Sequence, residues 1–275
     1  MHELDCTDET FDLNFTSEYK LSIQLGLDGF SFCVIDNIRK KYLVLKHFPF
    51  SLSNDEFLFR KIKEIMDDEE ILNRLYKNTI ISFVSRKFTA VPSGLKADIN
   101  DIYNLNFPPA PDEITGSFNT SSFNAKIIYA SPRKLCEFLT TRFENPVFIH
   151  QVKPLIKLAS KNSEKGQVSA LISVTKSFYI LIVSQGDKLI FLNSFRYSNN
   201  MDFIYYLLNA TGSLEINPDD MRIKLVGEIR EDSHLVEFIK ERFGKVEFGK
   251  LAKGYQYSYT FAKFPAHMFV SVINP

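Results

Sequence analysis

Residues Leu21 to Asp36 read Leu-Ser-Ile-Gln-Leu-Gly-Leu-Asp-Gly-Phe-Ser-Phe-Cys-Val-Ile-Asp. The first five alternate apolar and polar, the period of a strand with one buried face. Phe30 to Ile35 is a β-type run rich in bulky residues. Asp28-Gly29 between them accepts the positive φ that a tight hairpin needs. A third run, Tyr42 to Leu45, follows Asp36-Asn37 and Arg39-Lys40. A three-stranded antiparallel meander is therefore expected between Lys20 and Phe50. Next comes Ser53-Asn54-Asp55-Glu56, which reads as a capping box, with Ser and Glu each satisfying the other's free backbone N–H. Phe57, Leu58, Ile62, Ile65 and Met66 then recur at helical spacing. The acids Asp67 to Glu70 read as the start of a second short helix, where carboxylates suit the helix dipole. A metal site is the sharper reading of four adjacent acids, and the helix start is preferred.

The same order returns later in the chain. Val168 to Val174 alternates, and Phe178 to Ser184 and Leu189 to Leu192 follow, with Gln185-Gly186-Asp187 as the second turn. Setting Phe30 over Phe178, an offset of 148, places Ile23 over Leu171, Val34 over Ile182 and Ile35 over Val183. After one residue is lost, Lys41 lies over Lys188, Leu45 over Leu192, Phe48 over Phe195 and Ser51 over Ser198. Matching strands, turns and helix start in one order read as an internal duplication. Lys126 to Tyr129, the Ser131-Pro132 helix start, a helix faced by Leu135, Phe138, Leu139 and Phe143, and Val147 to Ile149 continue the first copy. Ile223 to Val226, Ser233 as cap, the helix ending at Gly244, and Val246 to Phe248 are set against them at an offset of about 100.

The first copy then carries about 48 extra residues, expected between Tyr76 and Asn124. Within them Ile80–Val84 and Phe88–Val91 read as a β pair, Pro92-Ser93 as the cap of a short helix, and Asn106 to Asn124 as a loop. The expected division is a first lobe at 1–162, with the insertion at about 76–124, and a second lobe at 163–275.

Three antiparallel strands and a helix, then strand, helix, strand and helix, form the order of a ribonuclease-H-like unit. Two such units, the first carrying an inserted subdomain, resemble the actin-like ATPase fold. Sugar kinases, heat-shock chaperone ATPases, actin, and bacterial division and pilus-assembly ATPases share that fold. The chain also resembles one bacterial family of unknown function with the same fold. The stretches that carry this likeness are Leu21 to Asp36, Phe88-Thr89-Ala90-Val91-Pro92 and Val226-Gly227-Glu228-Ile229-Arg230-Glu231-Asp232-Ser233. The resemblance implies an α/β fold of two ribonuclease-H-like units, each with a mixed sheet that opens in the meander.

It also implies three places for nucleotide chemistry. The first hairpin should carry Asp-x-Gly, with the acid ordering the metal's waters; the second hairpin should repeat it; and a Gly-Gly after a later strand should let nucleotide approach the backbone. The first hairpin has Gly26 at the acid's place, with Asp28-Gly29 two residues late. The second has Thr175-Lys176-Ser177, with neither acid nor glycine. The third has Gly227-Glu228, whose carboxylate repels a polyphosphate. Gly26, Asp28, Gly29, Thr175, Lys176, Gly227 and Glu228 are thus the candidate interlobe residues, with no catalytic residue, metal or cofactor expected.

The leading expectation is a non-catalytic binding or scaffold protein with degenerate ATPase motifs and a protein or peptide partner. The inserted region and the interlobe cleft are its candidate surfaces. One alternative is a divergent ATPase or kinase in which Asp28 and Lys176 do the metal and phosphate work. Another is a cleft that binds a different small ligand without turnover.

Composition agrees with this reading. The 275 residues hold 33 Lys+Arg against 33 Asp+Glu and are 45% hydrophobic, so neither wholesale disorder nor a charge-driven nucleic-acid partner is expected. Lysines and aromatics do interleave between Lys245 and Tyr259 (Lys250, Lys253, Tyr255, Tyr257), but alternating tyrosines on a half-exposed strand account for them. There are 26 Phe and no Trp, and the repeat gives the Phe excess a place in two similar cores. Cys6, Cys33 and Cys136 form no CxxC pair, so no zinc ribbon or disulfide framework is expected. Residues 1–10 have no signal-peptide pattern, and the longest apolar runs fall far short of the ~20 residues of a spanning helix. A cytoplasmic protein without direct membrane insertion is expected.

Overall fold

Residues 4–161, 166–251 and 254–273 are described by the structure, a computed structural model. The first half runs β1 (Leu4–Thr7), β2 (Lys20–Gly26), β3 (Gly29–Asp36), β4 (Lys41–Pro49), α1 (Asp55–Asp68), β5 (Asn78–Val84), β6 (Phe88–Pro92), α2 (Ile99–Asn104), β7 (Glu113–Thr120), β8 (Ala125–Pro132), α3 (Arg133–Arg142), β9 (Val147–His150) and α4 (Val152–Lys161). The second runs β10 (Val168–Val174), β11 (Phe178–Gln185), β12 (Lys188–Arg196), α5 (Asn200–Ser213), β13 (Arg222–Gly227), α6 (His234–Arg242), β14 (Lys245–Phe248), β15 (Gln256–Tyr257) and α7 (Val270–Ile273). The boundary expected at 162/163 lies outside the described residues.

Two mixed sheets share one strand order. The first is β1-β4-β3-β2-β5-β9 with β15 beside β4, and the second is β12-β11-β10-β13-β14. In each, the meander is antiparallel and the next two strands run parallel to its first. The ladders superpose at an offset of 149, because Leu25 pairs with Phe30 as Val174 pairs with Tyr179, and Ile23 with Phe32 as Ile172 with Leu181. The offset of 148 was one residue short. A one-residue slip exchanges the faces of a strand, so Leu171 faces the side opposite to that of Ile23, and Tyr179, not Phe178, takes the place of Phe30. Phe48 and Phe195 do correspond, since they pair with Phe30 and Tyr179.

The strand that matches β13 is β5, not the segment 126–129, because β5 lies parallel to β2 as β13 lies parallel to β10. The stretch without a counterpart therefore begins after Val84, and its strands form a separate sheet, β6-β8-β7. β5 and β6 do not pair as a hairpin; β6 pairs with β8. The expected loop at 106–124 contains the eight-residue strand β7. Its alternation is masked by Gly116, where a Cβ would lie 2.8 Å from the Tyr129 ring. Three caps also differ. Asn54, not Ser53, accepts from Glu56 N and Phe57 N; α2 is capped by Asp98; and α3 begins after Pro132 without a side-chain cap. The acid run is used in ion pairs: Asp67 with Arg142, Glu69 with Lys46 at 3.0 Å, and Glu70 with Arg74.

Both faces of each large sheet are covered. Leu58, Ile62, Ile65 and Met66 of α1 pack on Leu21, Ile23, Phe30 and Phe32. Each fully buried aliphatic or aromatic side chain there contributes roughly 1.5–3 kcal/mol. α5 and α6 cover the second sheet in the same way. The opposite faces are covered by exchange: α4, from the first half, lies on the second sheet, and the C-terminal turns with α7 lie on the first. Ser22 Oγ donates to Val272 O at 2.6 Å, and Tyr42 Oη donates to Ile273 O at 3.0 Å. Tyr42 stacks on Tyr257, which with Tyr255 belongs to this cluster; Lys253 lies outside the described residues.

Candidate functional site

The β2–β3 and β10–β11 turns meet at one edge of the two sheets, beside the end of β13. At the shared offset, Asp28 and Ser177 are equivalent, as are Gly26 and Thr175. The turns touch directly. Lys176 Nζ donates to Asp28 O at 3.3 Å and to Phe50 O at 3.0 Å, and Ser177 Oγ donates to Asp28 Oδ2 at 3.2 Å. Gly26, Asp28, Gly29, Thr175, Gly227 and Glu228 border a cavity of about 50 Å³ behind this contact. Six of the seven candidate residues are thus gathered at one cavity, and the seventh, Lys176, bonds to Asp28 beside it. A small-molecule site usually offers about 300 Å³ or more.

Each residue has a local structural task. Gly227 has φ +88°, and a Cβ there would lie 2.1 Å from Val174 O. Its freedom therefore serves the close approach of β10 and β13, reinforced by Glu228 N donating to Val174 O at 2.8 Å. Gly26 is held by β5, whose Val84 Cβ would stand 2.7 Å from an added Cβ. Thr175 folds its own turn, its N–H and hydroxyl both reaching Phe178 O, at 2.9 and 2.8 Å. Burial pushes the Glu228 carboxyl above the usual carboxylate range, and the Lys176 ammonium opposes that shift.

The wall also holds Gln24, Gln151 and His47, a histidine whose spacing in the sequence suggests only a core or surface role. Ser31 Oγ and His47 Nδ1 lie 2.7 Å apart, while His47 Nε2 and Gln24 Oε1 have no hydrogen-bond partner among the described residues. Burial first, and the positive charge of Lys176 second, lower the His47 pKa to about 4. The polar half of the alternation, Ser22, Gln24 and Ser31, is the signal for this wall, and the C-terminal segment covers it through Ser22–Val272 and His47–Phe269 contacts. Among the described residues no group of three or more His, Cys, Asp or Glu could hold a metal ion, and no helix is long and apolar enough to cross a membrane.

The chain is similar to a Bacteroides thetaiotaomicron VPI-5482 protein with an actin-like ATPase fold and unknown function. The two are 26% identical over 87% of this chain and 94% of that one, with a TM-score of 0.79. A structure of the PilM–PilN type IV pilus biogenesis complex is similar in fold, at 12% identity over 94% of this chain and 97% of that one, with a TM-score of 0.58. No curated protein matches the chain. The architecture is that of the actin-like ATPases. Residues 8–246 match the family described as "Protein of unknown function (DUF3822)", and the chain belongs to that family.

Proposed function

We propose that this protein is a non-catalytic binding or scaffold protein, a pseudo-ATPase in which the nucleotide cleft is closed by its own hairpin turns. The observation that carries the reading is the bridge from Lys176 and Ser177 to Asp28, at the place where the fold's enzymes hold phosphate and metal. The cavity of about 50 Å³ behind it has room for water, not for a nucleotide. Glu228 adds a negative charge on the same wall, and neither turn offers the acid pair that would order Mg²⁺.

The lobes on this reading are 1–162 and 163–275, two copies of one duplicated unit in a bacterial, cytoplasmic protein, each with its second face covered by a helix of the other half. The function is then to present a surface to a protein or peptide. PilM, a neighbour in fold, is itself described in complex with PilN, which supports a protein partner.

One observation favours a second reading, a divergent ATPase or kinase: Asp28 and Lys176, which such chemistry would need together, do stand together. Calorimetric titration with Mg-ATP separates the two. No binding is expected, and micromolar binding with turnover that Asp28→Ala abolishes would overturn the scaffold reading.

A further inference from the structure

On the outer side of the hairpin contact lies a larger pocket, of about 500 Å³, between the first lobe, the inserted sheet and the second lobe. Its size falls in the range of small-molecule sites. Leu27, Phe83, Pro132 and Phe178 give it apolar walls, and Arg86, at the end of β5, and Arg196, at the end of β12, give it two guanidinium groups.

The charges in this pocket are unevenly satisfied. Lys87 is paired with Glu113, which also accepts from Tyr103 Oη at 3.2 Å, and Asp28 accepts from Ser177. Neither Arg86 nor Arg196 has an ion pair or a side-chain hydrogen bond among the described residues. Burial, and then the like charge of Arg196, lower the Arg86 pKa. Asp55 is the remaining acid of the pocket. Desolvation raises its pKa, and the charges acting on it are Lys87 and Glu113, not the arginines. Three acids, Asp28, Asp55 and Glu113, and three cations, Arg86, Lys87 and Arg196, line the pocket, and of these cations only Lys87 is ion-paired among the described residues. Arg86 is half-buried and Arg196 exposed; two like charges lining one pocket repel one another, and an oxyanion placed between them relieves the repulsion with charge-assisted hydrogen bonds.

We infer that this pocket binds a small organic anion, its phosphate or carboxylate group held between Arg86 and Arg196 and its apolar body lying over Leu27, Phe83 and Phe178. This goes beyond the proposed function, which concerns the closed space on the other side of the hairpin contact. Binding depends on residues of both lobes, so it also ties β5 to β12.

The test is isothermal titration of the full chain with phenyl phosphate, benzoate and inorganic phosphate. Phenyl phosphate or benzoate is expected to bind, and whichever binds tighter identifies the anionic group. Arg86→Gln and Arg196→Gln are each expected to weaken that binding by about tenfold or more. Arg60→Gln, on the exposed face of α1, should leave it unchanged. A thermal melt of each unliganded variant guards against misfolding: Arg86→Gln should melt no lower than the parent, because it removes an unpaired charge. No binding at millimolar ligand, or binding that survives both substitutions, overturns the assignment. Inorganic phosphate binding as tightly as phenyl phosphate would overturn its apolar half. Mg-ATP binding that persists in Arg86→Gln would overturn the scaffold reading alone and leave this site standing.

Discussion

Asp28 and Ser177 occupy the same position in two hairpins of one topology, and the hydroxyl of the second donates to the carboxylate of the first at 3.2 Å. In an actin-like ATPase these two turns face each other across the phosphates. Here they touch directly, and Lys176 of the second turn donates to two backbone carbonyls. A lysine that satisfies Asp28 O and Phe50 O is engaged in joining the lobes. On the proposed reading, direct contact of the turns, together with the sequence departures, makes the cleft a junction.

If the junction works in this way, Lys176→Ala with Ser177→Ala should loosen it. The three bonds are solvent-accessible, so the loss in stability should be small, about 1 kcal/mol or a little more. Amide exchange should rise locally, at Phe50 and Leu52, whose N–H groups bond to Asp28 O and Leu27 O. Exchange by mass spectrometry that is unchanged at 27–28 and 50–52 would show that the contact holds nothing in solution.

Gly227→Ala should be severe. It adds the strain of a left-handed conformation to a clash with Val174 O at 2.1 Å, and a loss of about 3 kcal/mol or more is expected in urea unfolding. Gly254 separates the two effects, since its φ is +87° and nothing lies within 4 Å of an added Cβ. Gly254→Ala should lose only about 1–2 kcal/mol. Similar values for the two variants would remove the argument that β10 and β13 are held by close approach.

The fold was legible in the chain because its two meanders are written in alternation and in turn dipeptides, which are local signals. What was not legible is long-range. Residues 4–7 form an edge strand only because β4 is there to receive them, and the C-terminal turns have no periodicity that announces a sheet 250 residues earlier in the chain, as the Ser22–Val272 bond requires. Phe30 and Phe178 look alike in the sequence and invite an alignment one residue out of register, whereas the backbone pairs Leu25 with Phe30 and Val174 with Tyr179. Of the site, the glycines and turn residues could be found by asking what an ATPase requires. His47 and Gln24 could not, because their burial depends on the C-terminal segment.

Two buried histidines should make the protein acid-sensitive. Burial lowers the His47 pKa to about 4 and that of His150 to about 3. His150 Nδ1 accepts from Val152 N at 3.2 Å, which leaves Nε2–H to donate to Ser85 Oγ at 3.2 Å and assigns the neutral ring one tautomer. Both folded-state values lie below the unfolded value of about 6.5. The stability from keeping these rings neutral is therefore fully present above that pH and declines as pH falls towards the folded values. Between pH 7 and pH 5 each histidine should account for a loss of about 2 kcal/mol. His150→Asn should lower stability at pH 7 and flatten its pH dependence over that interval. A slope in urea-derived stability equal to that of the parent would exclude His150 as a source.

The exchange of covering helices makes the last prediction. Ser22 and Tyr42 reach across the first sheet to the carbonyls of Val272 and Ile273, and both donors are buried. Ser22→Ala with Tyr42→Phe leaves those two carbonyls without donors, a loss of about 1–3 kcal/mol each. That loss should fall on the docking of the C-terminal segment, because it removes two buried hydrogen bonds that join the segment's last helix to the sheet and leaves the apolar contacts of Phe264, Phe269 and Ile273 and the β15–β4 pairing to hold it. Chymotrypsin should then cut the double variant at the exposed Tyr259 well before the parent. Tyr179→Phe is the control: it removes a buried hydroxyl that donates to Phe203 O at 3.4 Å within the second lobe, so it should lower overall stability without hastening that cut. If both variants are cut at Tyr259 at the same rate, the segment is released only by global unfolding, and the first sheet keeps its second cover as tightly as it keeps α1.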